Sequence, residues 1–306
     1  PAHGMFKTSK IYSHNFIIDF PKYISTIANL INQNSLSDET WVVSNSKDQA
    51  LLQKVISNGI KLEEYIAGEA KRGVLTGLTE AFVINEETKE KLIKEDINSK
   101  DVIKPFLLGR NIAPYEAGNN THYLILIPKG LTIRRNLPSD DPFYVAEPPP
   151  RYGSMQFDDA WQWFNKTYPA ISRHLLPFKV KADQRTDKGD YWWELRACDY
   201  YDKFEKPKIM YQVLQVKPCF IYDEDGLYCN NSMWFIPSND KVLLGILNSR
   251  MGWWLISKYC TAIQNGYQLI WKYFSQIPIA TGNEIVRNEI ADLVNKILKH
   301  KRIPNS

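Results

Sequence analysis

The apolar runs in the middle of this chain are strand-length and are punctuated by Pro, Gly and acidic turn formers. They are "HYLILIP" at 122–128, "PKIMYQVL" at 207–214, and "PCFIYDEDGLYCNNSMWFIP" at 218–237, the last folding back at "DEDG". None reaches the roughly 20 residues a membrane span needs, and no signal peptide opens the chain. Helical patterns flank them. "FPKYISTIANLINQN" carries apolar side chains at Tyr23, Ile24, Ile27, Leu30 and Ile31 behind Pro21. "SNSKDQALLQKVISNG" opens on Ser46 with Gln49 three residues on, a capping-box signature, and ends at Gly59; "KLEEYIAG" reads as one more short helix. At the other end, "NEIVRNEIADLVNKILKHKR" places Ile285, Ile290, Leu293, Val294, Ile297 and Leu298 on one stripe, with basic residues in its last turn. The expectation is an α+β chain: a mixed sheet with hairpins in the body, helices at the N-terminal end and a long amphipathic C-terminal helix.

Between these landmarks, "KRGVLTGLTEAFVIN" reads as two strands about a turn near Thr76–Gly77, and "EETKEKLIKE" as a polar amphipathic helix. Another helix opens at Ser99, and 129–155, rich in Pro and acids, reads as a long surface loop. Residues 157–182 read as helices broken at Pro169 and Pro177, "DKVLLGILNSRMGWWLISKY" as one helix, and "LIWKYFSQIPI" as extended. The opening "PAHGM" has the look of a cloning remnant ahead of Met5.

Charge separates along the chain more than the net +4 indicates. Residues 240–306 hold nine Lys/Arg against four Asp/Glu, and 166–188 hold six against two, whereas 139–160 holds five acids and only Arg151. Two basic segments suit a polyanionic partner, and solvated surface suits them equally. Cys198, Cys219, Cys229 and Cys260 form no C-x-x-C pair and the His residues do not cluster near them, which argues against zinc or a disulfide framework and for a reducing cytoplasm.

Catalytic motifs are sparse. The sequence contains no P-loop, G-x-S-x-G, H-E-x-x-H or dinucleotide-type glycine string. A metal-dependent nuclease would want an acidic residue ahead of an E-x-K on a strand. Two such triplets occur, Glu69/Lys71 and Glu87/Lys89, but chance supplies them readily in a chain with this much Glu and Lys, and Glu87 falls on an expected helix. "AEPPPRYG" lacks the Asn or Asp of the amino-methyltransferase loop, and His174 in "SRHLLPF" reads as a capping or interfacial histidine.

Four strings in order resemble one family. "GVLTGLTEAFVIN", "VIKPFLLGRNIAPYE", "RTDKGDYWWELRACDYYDKFEKPKIMYQ" and "LLGILNSRMGWWLISKYC" with "NGYQLIWKYFSQIPI" are similar to the TaqI-like C-terminal specificity domain of type IIG restriction–modification enzymes and adenine methyltransferases, over about residues 70–280. The last string is also similar to the target-recognition domains of type I specificity subunits, in which a long helix follows. The resemblance implies a DNA target-recognition domain (69–280) followed by the C-terminal helix (281–306), and the patterning ahead of it divides into a remnant and connector (1–20) and a helical connector (21–68). It implies sequence-specific binding of duplex DNA. It implies no catalysis in this segment and no cofactor of its own. S-adenosylmethionine and Mg are expected for the parent enzyme, an adenine methyltransferase or type II endonuclease whose catalytic part lies in the same or a partner chain.

The residues that suit DNA contact are Gln264, Asn265, Tyr267, Gln268 and Lys272 around Gly266, then Arg72, Thr76 and Thr79 at the first turn, and Arg110 in "LLGRN". Arg185 and Lys188, at the end of the basic 166–188 segment, suit a phosphate-contacting loop. Each also suits an ordinary solvated turn. In "RTDKGDYWWELRACDYY" the five rings exceed what a duplex reader needs, so Trp192 or Trp193 is expected in the core. Two other readings stand beside DNA recognition: a nuclease centred on Glu69 or Glu87, and a subunit-bridging module working through the last helix.

Overall fold

The computed structural model describes residues 4–9, 19–33, 46–109, 112–118, 121–134 and 157–302. They form an α+β arrangement of short strands and short helices, closed by one long helix, Glu284–Arg302. The chain divides into two compact units, and the division is not linear. The first comprises Pro1–Ala70, Gln212–Phe220 and Asp240–Ser306; the second comprises Lys71–Tyr211 and Ile221–Asn239. The N-terminal helices therefore share a unit with the hairpin and helices that end the chain.

The second unit is built on two four-stranded sheets. One runs in the order Phe220–Asp223, Lys208–Gln212, Met233–Ile236, Lys71–Arg72; the other in the order Tyr228–Cys229, Ile103–Leu107, His122–Ile125, Val83–Asn85. The latter is mixed: Tyr228–Cys229 runs parallel to Ile103–Leu107 and the other pairings are antiparallel. Fully buried Leu107, Leu124, Ile125, Phe164, Trp193, Phe204 and Phe235 share one core. Helices Phe157–Thr167, Pro169–Leu175 and Lys179–Asp183 break at Pro169 and Pro177 as the sequence implies. A buried pair, Lys208 with Asp223, is satisfied on both sides. Lys208 also donates to the Phe204 carbonyl, and the Asp223 carboxylate accepts the Asp225 and Leu227 N–H groups.

In the first unit, helix Lys241–Asn248 begins at Asp240, whose carboxylate caps it by accepting the Val242 and Leu243 N–H groups. The same carboxylate accepts the Tyr65 hydroxyl at 2.5 Å and Arg287 at 3.1 Å, tying three segments together. Burial works to raise the Asp240 pKa, but Tyr65, the two cap N–H groups and Arg287 outweigh it and hold the carboxyl below its usual range. Along the terminal helix Val294 is buried, whereas Ile285 and Leu293 from the expected stripe stay exposed.

Five local expectations change. The helix expected over "FPKYISTIANLINQN" ends at Ile27, and Asn29–Asn32, which holds Leu30 and Ile31 of the expected stripe, is a strand paired antiparallel with Met5–Thr8. The segment 71–85 is not a hairpin: Lys71–Arg72 pairs with Met233–Ile236, a short helix Thr79–Phe82 follows, and Val83–Asn85 pairs with the other sheet. "DEDG" does not return a strand to its neighbour, because Phe220–Asp223 and Tyr228–Cys229 enter different sheets. The single helix expected at 240–259 is two, Lys241–Asn248 and Arg250–Tyr259, split where Ser249 leaves helical geometry and caps the second by accepting the Gly252 N–H. "LIWKYFSQIPI" is a helical turn, Trp271–Phe274, before the strand Pro278–Ala280. The loop expected at 129–155 holds the turn Leu131–Arg134, and the rest lies outside the described residues. Among the described residues no helix is long and apolar enough to cross a membrane.

Candidate nucleic-acid interface

In the second unit, the string 185–201 is folded around two buried charges. Arg185 is 7% exposed, and its guanidinium donates to four carbonyls: Thr76 at 2.6 Å, Trp192 at 2.8 Å, Glu194 at 2.9 Å and Ala182 at 3.1 Å. Its Cζ lies 4.5 Å from the centre of the Phe82 ring. A guanidinium so committed has no face left for a phosphate, which corrects the expectation for Arg185. It stitches the turn at Thr76 to the aromatic string. Thr76 is likewise buried, its hydroxyl 3.3 Å from that of Thr79, so it cannot reach a groove as expected; Thr79 is exposed on the first turn of its short helix.

Glu194 is the second hub. Its carboxylate accepts the backbone N–H groups of Asp190 at 2.9 Å, Thr132 at 3.2 Å and Gly130 at 3.3 Å. Burial pushes its pKa up, and the hydrogen bonds from Thr132, Gly130 and Asp190 pull it back in part. Trp193, fully buried, donates to the Thr132 hydroxyl at 3.1 Å and stacks on Tyr191 with ring centres 4.7 Å apart. Trp192 is 2% exposed, so both tryptophans are core, as expected. Lys188 stays about a third exposed and holds the Asp183 carboxylate at 2.9 Å. His174 is interfacial: its Nε2 donates to the Ala81 carbonyl at 3.1 Å, and burial lowers its pKa.

The first unit carries the other candidate group on a three-stranded sheet. Thr261–Ile263 pairs with Gly266–Gln268, which pairs with Leu214–Gln215. Gln264 and Asn265 form the exposed tip of that hairpin. Gly266 is obligatory, since a Cβ there would sit 1.9 Å from the Gln215 carbonyl oxygen. Residues directly opposite across antiparallel strands share a face. Tyr267, half-buried between exposed Ala262 and buried Gln215, meets Trp253 edge-on with centres 5.2 Å apart. Gln268 lies on the other face, between Thr261 and Leu214, which is 55% exposed. Lys272 is exposed on the following helical turn, its Nζ 5.7 Å from the Tyr273 ring centre. Asn248, from the "ILNS" string, is structural: it accepts from the Phe220 N–H at 3.0 Å and donates to the Phe220 carbonyl at 2.9 Å.

The candidates therefore sort by exposure. Gln264, Asn265, Gln268 and Lys272 in the first unit, and Arg72, Thr79 and Lys188 in the second, present polar atoms to solvent; Arg110 lies outside the described residues. Among the described residues no three His, Cys, Asp or Glu side chains gather to hold a metal ion, and Glu87 lies in the first turn of a helix.

The sequence signature described as the TaqI-like C-terminal specificity domain matches residues 104–279. This chain belongs to that family. The match encloses the string 185–201 and the hairpin and begins after Arg72, Thr76 and Thr79. The chain is 27% identical over 188 residues to the type II methyltransferase M.MjaIV of Methanocaldococcus jannaschii, covering 58% of this chain and 53% of that protein. It thus spans about half the length of this relative. Among solved structures it is similar to the type IIL restriction–modification enzyme MmeI in complex with DNA (14% identity, TM-score 0.44, 78% of this chain and 28% of that one). It is also similar to the type IIG restriction endonuclease BpuSI (13% identity, TM-score 0.43, 82% and 28%).

One residue that the sequence reading passed over, Arg196, lies within the same string. It is exposed, pairs with Asp187 at 3.3 Å, and lines the same cleft as Arg72. Its only sequence signal was position: an arginine directly after the buried Glu194–Leu195 pair, where the string returns to the surface.

Proposed function

We propose that this chain recognises a short sequence in duplex DNA and serves as the specificity module for methyltransferase or nuclease chemistry carried elsewhere, in the same or a partner chain. S-adenosylmethionine and Mg would serve that chemistry. The observation that carries the reading is the family match over residues 104–279. The hairpin supports it chemically. Two amide side chains, Gln264 and Asn265, stand at an exposed tip whose backbone Gly266 fixes against Gln215. Amides reading adenine N6 and N7 are a usual major-groove contact, worth about 1–3 kcal/mol of discrimination.

Selection from a random duplex pool, followed by titration at several salt concentrations, tests this. Enrichment of a defined motif, with affinity falling as salt rises, is the expected result. Asn265→Ala should cost about 1–3 kcal/mol and relax preference at one position. A pool that returns unenriched from the intact protein would overturn the reading.

A further inference from the structure

Within the second unit, a cleft of about 210 Å³ is lined by Arg72, Arg196, Cys198, Asp199, Tyr200 and Tyr201, among others. We propose that this cleft is a phosphodiester-binding subsite, with Arg72 and Arg196 gripping one strand of the nucleic-acid backbone. The inference rests on the DNA-recognition reading and goes beyond it by assigning these arginines to positioning rather than to base readout.

Three observations carry it. First, charge: the lining residues include two arginines and one acid, Asp199. The Arg72 side chain is exposed and makes no ion pair among the described residues, while Arg196 keeps about half its side chain open despite Asp187. Second, mounting. Arg72 lies in a strand opposite Trp234, and its carbonyl accepts the Tyr200 hydroxyl at 3.1 Å. Gly73, which follows, is pressed so closely on Asn230 that a Cβ would sit 2.1 Å from that carbonyl oxygen. The Arg196 carbonyl accepts the Tyr201 hydroxyl at 3.3 Å. Both arginines therefore project from fixed backbone, and a planar guanidinium that binds an anion bidentately loses less side-chain entropy per hydrogen bond than an ammonium does. Third, size: about 210 Å³ is more than ten times the roughly 10–15 Å³ that one water needs on the same measure, room for a phosphate group. The two tyrosine hydroxyls are spent on backbone and remain protonated donors; burial, then Cys198, pushes the Tyr200 pKa up to about 12.

The test is binding of a fixed duplex, and of a random-sequence duplex, across salt concentrations. Arg72→Ala and Arg196→Ala should each lower the salt slope by about one and weaken both duplexes alike. Arg72→Lys should restore the slope while recovering affinity only in part, since a point charge replaces a fork. Thermal melting confirms that each variant is folded, as expected for exposed side chains. If wild type binds but the alanine variants keep its slope, the subsite is wrong and the DNA reading stands. If Arg72→Ala instead relaxes preference at one base position with the slope intact, Arg72 reads a base edge and the phosphate assignment is overturned. If wild type shows no salt-dependent binding at all, the DNA reading itself fails.

Discussion

The string 185–201 and the hairpin 261–268 both offer the side chains that a nucleic-acid reader needs, yet the fold uses them in opposite ways. In the string, Arg185 and Glu194 turn inward, and seven backbone groups satisfy them. In the hairpin the strands pair with one another and with Leu214–Gln215, so the backbone is satisfied within the sheet and Gln264 and Asn265 are left to solvent. The difference teaches that backbone demand decides which polar side chains are available. An irregular segment folded over a core has carbonyls and N–H groups without ladder partners and recruits charges to meet them; a hairpin does not.

The sharpest way to break this comparison is Arg185→Ala. Removing the guanidinium leaves the Thr76, Trp192 and Glu194 carbonyls without their buried donor, and a loss of about 3–5 kcal/mol in unfolding free energy is expected by denaturant titration. DNA affinity per folded molecule should keep its salt slope. A variant of undiminished stability whose slope falls by about one would return Arg185 to phosphate contact and dissolve the contrast.

On the hairpin side the matching change is Gly266→Ala. The added Cβ would meet the Gln215 carbonyl at 1.9 Å, so the strand must shift, at about 1–3 kcal/mol. Displacement of Gln264 and Asn265 should blur the selected motif as well as lower the melting temperature. A variant that melts earlier but selects the same motif would show that the tip reads nothing.

These outcomes bear on what the sequence made legible. Periodicity located helices such as Glu284–Arg302, where Val294 is buried, but not where they end: Asn29–Asn32 is a strand and 241–259 holds two helices. It located the strands but not their neighbours. Nothing local tells Tyr228–Cys229 to pair with Ile103–Leu107, more than a hundred residues away, rather than with Phe220–Asp223. The site suffered more, because the role of a charge depends on burial. Arg185, Lys188 and Arg196 look alike in the string; only the structure shows that the first is 7% exposed and that the last lines a cleft. Within the strings that carry the family resemblance, Arg185, Glu194 and Asn248 are framework residues, whose partners are fixed by the fold.

Asp240 extends the contrast from a permanent buried charge to a titratable one. Its folded pKa is depressed, so the stability it contributes is present above the unfolded value, about 3.9, and is lost as pH falls through the lower folded value. Tyr65, its partner, has a pKa raised to about 12 by burial and by Asp240; its contribution holds below about 10 and fades as pH rises through 12. Asp240→Asn keeps a capping oxygen and loses the charge on Arg287, for an expected cost of about 1 kcal/mol near neutral pH. In urea titrations the gap to wild type should close below about pH 4. A gap that stays constant into acid would mean that the carboxylate's charge contributes nothing to the unit.

Lys188→Ala should have the smallest effect on stability, and it separates the two uses of charge within a single string. Its ammonium holds Asp183 from a position that is about a third exposed, against an aspartate that is two-thirds exposed, so the pair is a surface one. Such pairs contribute about 0.2–1 kcal/mol, and the expected loss lies at the lower end. If Lys188 meets a phosphate in the DNA complex, the salt slope should fall by about one while the melting temperature hardly moves, the reverse of Arg185→Ala three residues away. If the slope does not move either, Lys188 is a solvated surface residue, and Arg196 becomes the cation of this string that meets DNA.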